Sequence, residues 1–355
     1  MKEITHGGDI YAWGEREILD FSASLNPLGM PSEVAHAAME GVAASGRYPD
    51  PQCRALRQAI AEAEGVSPAQ IFCGNGAAEL LDRLALALRP RRAMILAPTF
   101  GEYERALLAN GCKVIFHYVK LERDFDVTEN FLRVLRPGLD LLVLCNPNNP
   151  TGRTIPAPLL AEICRRCQVQ NTVLVVDESF LSLTDTDCQT DLRPLLAECP
   201  RLVLLRSLTK SYAMPGLRLG YLLCGDPALL ERVAQAGQPW GVSVPAQYAG
   251  IAALNNRPDW PRLGREAVAP QRRRLTEELR NMGFRVWDSH ANYLLFHSSQ
   301  WTDLRERLLQ RDILIRDCSD FPGLGPGYYR IAVRTEAEDT RLLQALEEVC
   351  QEGRG

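Results

Sequence analysis

The chain has 355 residues, with a hydrophobic fraction of 46% and a charged fraction of 24%, as is typical of a globular protein with a substantial core. Its formal charge of −4 gives no basis for a surface that binds nucleic acid. Residues 1–8 lack the apolar core of a signal peptide, and no apolar run approaches the roughly 18 residues of a membrane span. We therefore expect a cytoplasmic protein, and a chain of this length predicts two domains.

Eleven cysteines are scattered along the chain. Cys73, Cys145 and Cys224 lie in apolar, strand-like runs, which is typical of small buried side chains in a reducing compartment. Cys164 and Cys167 have the spacing of half a zinc site, but no second pair follows at a matching spacing, and their segment has a helical pattern. We therefore expect no metal site.

The first 30 residues show little periodicity. Turn residues at 6–8 and 26–29 flank one apolar patch at 18–21, which predicts an arm that lies on a larger body. Apolar residues at helical spacing then predict helices over 34–42 and 53–64.

A short predicted strand at 71–73 runs into a glycine turn that contains Gly76, Ala77 and Ala78, and a helix follows to Leu88. A strand, a glycine turn and a helix N-terminus can bind an anion through backbone N–H groups and the helix dipole. Taken alone, the pattern is equally consistent with a tight turn that binds nothing.

Strands and helices alternate over the following residues. Apolar runs predict strands at 93–97, 114–119, 141–145, 173–176 and 202–205, with helices between several of them. This alternation is typical of an α/β fold with a mostly parallel sheet, in which ligands bind beyond the carboxyl ends of the strands. Polar or glycine positions that follow predicted strands are Gly76, Tyr103, Asn149, Asp177 and Lys210.

The segment 206–221 combines groups for a phosphate with an amine. Ser207 and Thr209 precede Lys210, and Arg218 follows it after a Pro-Gly turn. Hydroxyls and a guanidinium can hold a phosphate, and a lysine can form a Schiff base with an aldehyde, which arginine cannot. The combination indicates pyridoxal phosphate (PLP). A solvated lysine at a strand end is the alternative, but lysine is scarce in this arginine-rich chain.

Two more strand ends carry polar side chains. Asn149 lies in a loop that two prolines and a glycine constrain. Asp177 ends a buried strand, where a carboxylate is costly unless it is paired. A pyridinium nitrogen is a suitable partner for this carboxylate, and a salt bridge to an arginine is the alternative.

The remainder predicts a smaller α+β unit. A long helix from about residue 260 to 282 leads to strand-like runs at 284–287, 292–297, 313–316 and 329–333, with helices at 301–310 and 337–350. We predict a large α/β domain over residues 31–255. Residues 1–30 and 256–355 are predicted to form the arm and the small domain.

The order of these motifs resembles the fold-type I PLP enzymes of aminotransferase class I and II over almost the whole chain. The resemblance rests on Asn-Asn-Pro-Thr-Gly at 148–152, Val-Asp-Glu-Ser-Phe at 176–180, Ser-Leu-Thr-Lys at 207–210 and Gly-Leu-Arg-Leu-Gly at 216–220. Two groups of this family compete: the threonine-phosphate decarboxylases of cobalamin synthesis and the histidinol-phosphate aminotransferases. Stretches at 6–8, 20–23, 26–31, 47–50, 206–210, 291–295, 313–316 and 328–334 resemble the decarboxylases more.

The resemblance implies roles in cofactor binding. Lys210 would bond the cofactor aldehyde, Asp177 would hold the ring nitrogen, Asn149 would bond the ring hydroxyl, and Tyr103 would stack on the ring. The cofactor phosphate would be bound by the turn at Gly76, the N–H groups of Ala77 and Ala78, and the side chains of Ser207, Thr209 and Arg218. Tyr48 would reach the phosphate of a neighbouring subunit's cofactor, which implies a homodimer.

It also implies roles in binding a small phosphorylated amino acid. Arg330 would bind the substrate α-carboxylate, and Arg316 would bind the phosphate with His6 and Asn26 from the arm. The planar fork of arginine suits both anions.

The implied reaction is decarboxylation of O-phospho-L-threonine to (R)-1-aminopropan-2-yl phosphate. The alternative is histidinol-phosphate transamination, and Phe180, where many aminotransferases carry tyrosine, mildly favours the decarboxylase. Phosphoserine is an alternative substrate, because one methyl group discriminates by only about 1–3 kcal/mol. A ligand sensor without catalysis would be expected to carry a DNA-binding domain, which the sequence lacks.

Overall fold

The computed structural model describes residues 6–352, so the first five residues of the predicted arm lie outside the described part. In chain order its strands are β1 (Leu19–Asp20), β2 (Ile71–Gly74), β3 (Arg92–Ala97), β4 (Lys113–Tyr118), β5 (Leu141–Cys145), β6 (Val173–Asp177), β7 (Leu202–Ser207), β8 (Gly220–Cys224), β9 (Arg285–Val286), β10 (Tyr293–His297), β11 (Ile313–Leu314), β12 (Arg316–Asp317) and β13 (Tyr328–Ala332).

The helices lie between these strands, except for the last helix, which follows β13. They are α1 (Ser32–Ala43), α2 (Arg54–Glu64), α3 (Gly76–Leu88), α4 (Glu102–Ala109), α5 (Ala157–Val169), α6 (Leu208–Ser211), α7 (Pro227–Gln235), α8 (Val244–Asn256), α9 (Trp260–Asn281), α10 (Leu304–Leu309) and α11 (Glu336–Glu352).

The large sheet has the order β2-β8-β7-β6-β5-β3-β4. β8 runs antiparallel to both of its neighbours, and the other neighbouring pairs are parallel. The predicted α/β fold with a mostly parallel sheet is therefore confirmed.

Both faces of the large sheet are buried. Leu142 and Leu144 of β5 pack in one apolar cluster, while Leu141 and Val143 pack in another on the opposite face, as the two-residue period of a strand requires. A strand that is covered on both sides needs a continuous apolar run, which explains the sequence of β5 and β6.

The small sheet is antiparallel and has the order β12-β13-β10-β9. The long helix α9 and the helix α11 pack against it through an apolar cluster that includes Leu275, Leu294, Phe296 and Leu346. Phe21 of the arm joins the same cluster, so the arm is fixed to the small sheet.

One predicted element is divided in the structure. The sequence predicts a single strand-like run over 313–316, but β11 pairs in parallel with β1 of the arm, whereas β12 pairs with β13. Backbone pairing with the arm, which lies almost 300 residues away in sequence, causes the division. Within residues 6–352, no helix combines the length and the apolar character that crossing a bilayer requires.

Candidate active site

A cavity of about 990 Å³ opens at the carboxyl edge of the parallel strands, and residues of the arm and the small sheet complete its wall. Most of the predicted site residues line it: His6, Ala77, Ala78, Tyr103, Asn149, Asp177, Ser207, Thr209, Lys210, Arg218, Arg316 and Arg330. Topology explains this convergence, because parallel strands bring their carboxyl ends to one edge.

Lys210 enters the cavity from α6, the single turn of helix that follows β7. Burial, together with the positive charges of Arg330 and Arg218, lowers the pKa of its ammonium group to about 8. The Lys210 amine is therefore neutral at a lower pH than an exposed lysine, which a nucleophilic amine needs.

A network of ion pairs holds the carboxyl end of β7, the strand that precedes Lys210. Arg206 donates from Nη1 to Glu64 Oε1 at 2.9 Å and from Nε to Glu178 Oε2 at 2.8 Å. Arg206 immediately precedes Ser207, and Glu178 immediately follows Asp177. The contact between Arg206 and Glu178 therefore fixes the neighbouring ends of β7 and β6.

Asp177 is buried at the end of β6. The Tyr103 hydroxyl donates to its Oδ2 at 2.7 Å, and the Ser179 N–H donates to its Oδ1 at 2.9 Å. Burial raises the pKa of the Asp177 carboxyl. Within residues 6–352 it has no salt-bridge partner inside 4 Å, so a cationic ring nitrogen of a bound cofactor fits this carboxylate.

A cradle for a phosphate lies at the start of α3. Ala77 and Ala78 belong to its first turn. The Ser207 and Thr209 hydroxyls also line the cavity, and they lie within hydrogen-bond distance of each other, at 2.7 Å. Gly76 has a φ of +81°, and a Cβ atom on it would lie 2.5 Å from Arg218 Nη2. Glycine at this position therefore leaves the space that Arg218 needs, and the donors present fit a phosphate monoester.

Arg330 and Asn149 meet at the opposite side of the cavity. Arg330 donates from Nη1 to Asn149 Oδ1 and from Nη2 to Ser22 O, the latter at 2.7 Å. Its Nε is buried and has no hydrogen-bond partner among the described residues. This donor is suited to an anionic ligand, because a buried N–H without a partner is costly.

Arg316 and Arg330 are directly opposite each other in the register of β12 and β13. Cross-strand partners project to the same face of a sheet, and both arginines line the cavity. Arg316 Nη2 donates to both carboxylate oxygens of Asp320, at 2.7 and 2.9 Å.

Three predicted site residues have other surroundings. Gly76 supports the cradle without lining the cavity. Asn26 also lies outside the lining, and its buried amide donates to Ser211 O at 2.8 Å. Tyr48 is 79% exposed on the surface, where it stacks on Trp240. His6 does line the cavity, and its Nε2 lies 3.2 Å from Glu102 Oε1.

The sequence interpretation missed Ser24, Glu102 and Asp320, which also line the cavity. Ser24 is buried, and its Oγ has no hydrogen-bond partner within residues 6–352. The available signal was its two-residue spacing from Ser22, a second serine that lines the cavity.

This arrangement of a lysine, a phosphate cradle and a buried carboxylate at one sheet edge matches a known family. Residues 16–346 match aminotransferase class I and II, and the chain belongs to this family. It is a PLP-dependent enzyme, and the residues of the cavity fit that cofactor.

The proteins to which the chain is similar include decarboxylases and aminotransferases. The chain is 40% identical to the threonine-phosphate decarboxylase of Salmonella typhimurium over 97% of its own length and 96% of the relative. It is 30% identical to the adenosylcobalamin biosynthesis bifunctional protein CobDQ of Leptospira interrogans, over 97% of this chain and 41% of that protein. The crystal structure of a histidinol-phosphate aminotransferase from Clostridium acetobutylicum aligns with a TM-score of 0.87 and 28% identity, covering 94% of this chain and all of that one.

Proposed function

We propose that the enzyme decarboxylates O-phospho-L-threonine to (R)-1-aminopropan-2-yl phosphate, with PLP as cofactor, for the nucleotide loop of cobalamin. The observation that carries the proposal is the pair of cross-strand arginines, Arg316 and Arg330, in the cavity that contains Lys210. The pair provides two anion anchors for one substrate. The similarity to a threonine-phosphate decarboxylase over nearly the whole chain supports the same reaction.

The two arginines orient the substrate. Arg330 would bind the α-carboxylate, since its buried Nε is available as a donor, and Arg316 would bind the phosphate. The orientation at Cα between these anchors decides which bond breaks. Holding both ends of a small substrate restricts its orientation at Cα.

The cofactor would be held by groups already in place. Lys210 would bond its aldehyde, Asp177 would face its ring nitrogen, and the turn at Ala77 and Ala78 would take its phosphate with Arg218. When bound, PLP supplies an electron-withdrawing ring that stabilises negative charge at Cα. Tyr103, whose hydroxyl binds Asp177, would fix the position of that carboxylate.

Decarboxylation removes CO₂ from Cα, and a proton replaces it. Lys210 is positioned to supply this proton, because a pKa of about 8 allows its ammonium group to donate near neutral pH. Phe180 packs against Tyr293 beside Lys210 and limits the access of water to the amine.

A homodimer is part of this proposal. Tyr48 is exposed together with Met39 and Val42 of α1, and large exposed apolar side chains of this kind are typical of an interface. In a two-fold dimer, Tyr48 would reach the cofactor phosphate of the other subunit. Sedimentation should give twice the chain mass of 39.6 kDa, and a stable monomer at micromolar concentration would contradict the proposal.

We also propose the domain boundaries and the cytoplasmic location. The strands of the large sheet lie between residues 71 and 224, whereas β9, β10, β12 and β13 follow residue 284, which supports a boundary near 255. Eleven free cysteines, ten of them buried, suit a reducing compartment.

The reaction is tested by incubating PLP-loaded enzyme with O-phospho-L-threonine, without 2-oxoglutarate, and measuring CO₂. Steady release over many turnovers is expected. Glutamate formation from histidinol phosphate and 2-oxoglutarate, without CO₂ from phosphothreonine, would instead identify an aminotransferase.

Replacing Arg316 with alanine should raise KM for O-phospho-L-threonine by at least roughly 30-fold, since losing a hydrogen-bonded charge partner typically costs about 2–5 kcal/mol. The cofactor should stay bound, which its visible absorbance reports. Arg273→Ala, at an exposed position of α9, is the matched control. Equal loss of PLP and of substrate binding would place Arg316 in the cofactor site.

A further inference from the structure

Arg316, the proposed anchor of the substrate phosphate, is already paired with a carboxylate. Asp320 accepts from Arg316 Nη2 through both of its oxygens, at 2.7 and 2.9 Å. The two side chains are only 8% and 14% exposed, so solvent screens their attraction weakly. Both residues line the cavity, so a phosphate that binds Arg316 must come close to Asp320.

The second proposed phosphate ligand shows the same arrangement. His6 Nε2 lies 3.2 Å from Glu102 Oε1, and Glu102 also pairs with Arg105. Arg105 in turn pairs with Asp82 at 2.8 Å. Both side chains assigned to the substrate phosphate, Arg316 and His6, therefore lie beside a carboxylate, whereas Arg330 has a buried donor without a partner among the described residues.

We propose that Asp320 is an internal competitor for Arg316, which lowers the affinity of the site around Arg316 for phosphate. The proposal rests on the assignment of Arg316 to the substrate phosphate. A substrate that also carries a carboxylate gains a second anchor at Arg330 and overcomes this competition. The product keeps its phosphate but has lost its carboxylate, so Asp320 favours its release.

This role differs from positioning. If Asp320 only held Arg316 in a productive orientation, its removal would weaken the binding of phosphate. A competitor has the opposite effect, because removing a carboxylate beside a bound anion removes a like-charge repulsion. The direction of the change therefore separates the two roles.

The test measures inhibition or direct binding of 1-aminopropan-2-yl phosphate to PLP-loaded enzyme, with 1-aminopropan-2-ol as the ligand without phosphate. For Asp320→Asn, we expect the phosphorylated amine to bind about tenfold more tightly, since an adjacent like charge is removed. Binding of the unphosphorylated amine should not change. Unchanged or weaker binding of the phosphorylated amine would overturn the proposal.

Asp317→Asn is the matched control, because Asp317 is a nearby aspartate that does not line the cavity. Its carboxylate accepts a hydrogen bond from the Ser319 N–H. Asp320→Ser provides a second variant if the asparagine variant does not fold. Calorimetric binding needs no turnover, so it tests the competition even if the enzyme fails to release CO₂ from phosphothreonine. Failure of the proposed reaction and failure of this inference are therefore distinguishable.

Discussion

Lys210→Ala is expected to abolish turnover, with a loss of about 10⁴-fold or more, because in the proposed reaction the Lys210 amine both holds the cofactor and transfers a proton. The visible absorbance of lysine-bound PLP should disappear as well. Lys210 is suited to both tasks by its place in the cavity and by a pKa that burial lowers to about 8.

Lys113→Ala is the control for this experiment, since Lys113 is an exposed lysine of β4 outside the cavity. It should keep its activity and its absorbance. Turnover by Lys210→Ala at more than a small fraction of the wild-type rate would contradict the assignment of this lysine.

The same lysine predicts a pH-dependent stability of the protein without cofactor. Its pKa is about 8 in the folded state, against an ordinary value of 10.5, so below pH 8 the folded protein carries a desolvated ammonium group at a cost. Lys210→Met should therefore melt at a higher temperature than the wild type at pH 7. The difference in melting temperature should shrink as the pH rises from 8 to 10.5, because in this interval the folded wild type has released the proton of Lys210 while the unfolded chain still holds it. A constant difference would contradict the explanation.

Asp177→Asn should lower kcat by about 10²- to 10³-fold, as is typical when one preorganised charged group is lost from an active site. An amide cannot stabilise a protonated ring nitrogen as a carboxylate does. Because Asn is similar in size and can still accept from Tyr103, the fold should persist, which circular dichroism would verify.

Asp140→Asn tests whether any strand-end carboxylate has this effect. Asp140 precedes β5 at the other edge of the sheet and accepts from the N–H groups of Arg91 and Arg92. Its variant should lose some stability but keep kcat. Equal losses of kcat in the two variants would remove the case for Asp177 as the partner of the cofactor.

Most of the architecture around the large sheet is predictable because its elements have strong local signals. The continuous apolar runs of β5, β6 and β7 indicate buried strands, and their alternation with helices predicts the parallel sheet. The division of 313–316 was not predictable. It depends on pairing between β11 and β1, and no local pattern encodes a partner so distant in the sequence.

The site follows the same division between local and distant signals. Lys210 and Asp177 are recognisable because each lies at the end of an apolar run and belongs to a motif. The sequence predicts that Asn26 binds the substrate. In the structure its amide donates to Ser211 O, because folding places the arm against α6. Asp320 was missed, since a lone aspartate in a turn acquires meaning only when Arg316 is seen beside it.

The register of β12 and β13 has a consequence for motion. Arg316 and Arg330 belong to one hydrogen-bonded ladder, whereas Lys210 follows a strand of the other sheet. A rigid movement of the small sheet would change the distance of both guanidinium groups from Lys210 while leaving their own spacing unchanged. Under the proposed assignment of both arginines to the substrate, the length of an acceptable substrate would be set within the small sheet, and such a movement would change only how near that substrate's Cα comes to the amine.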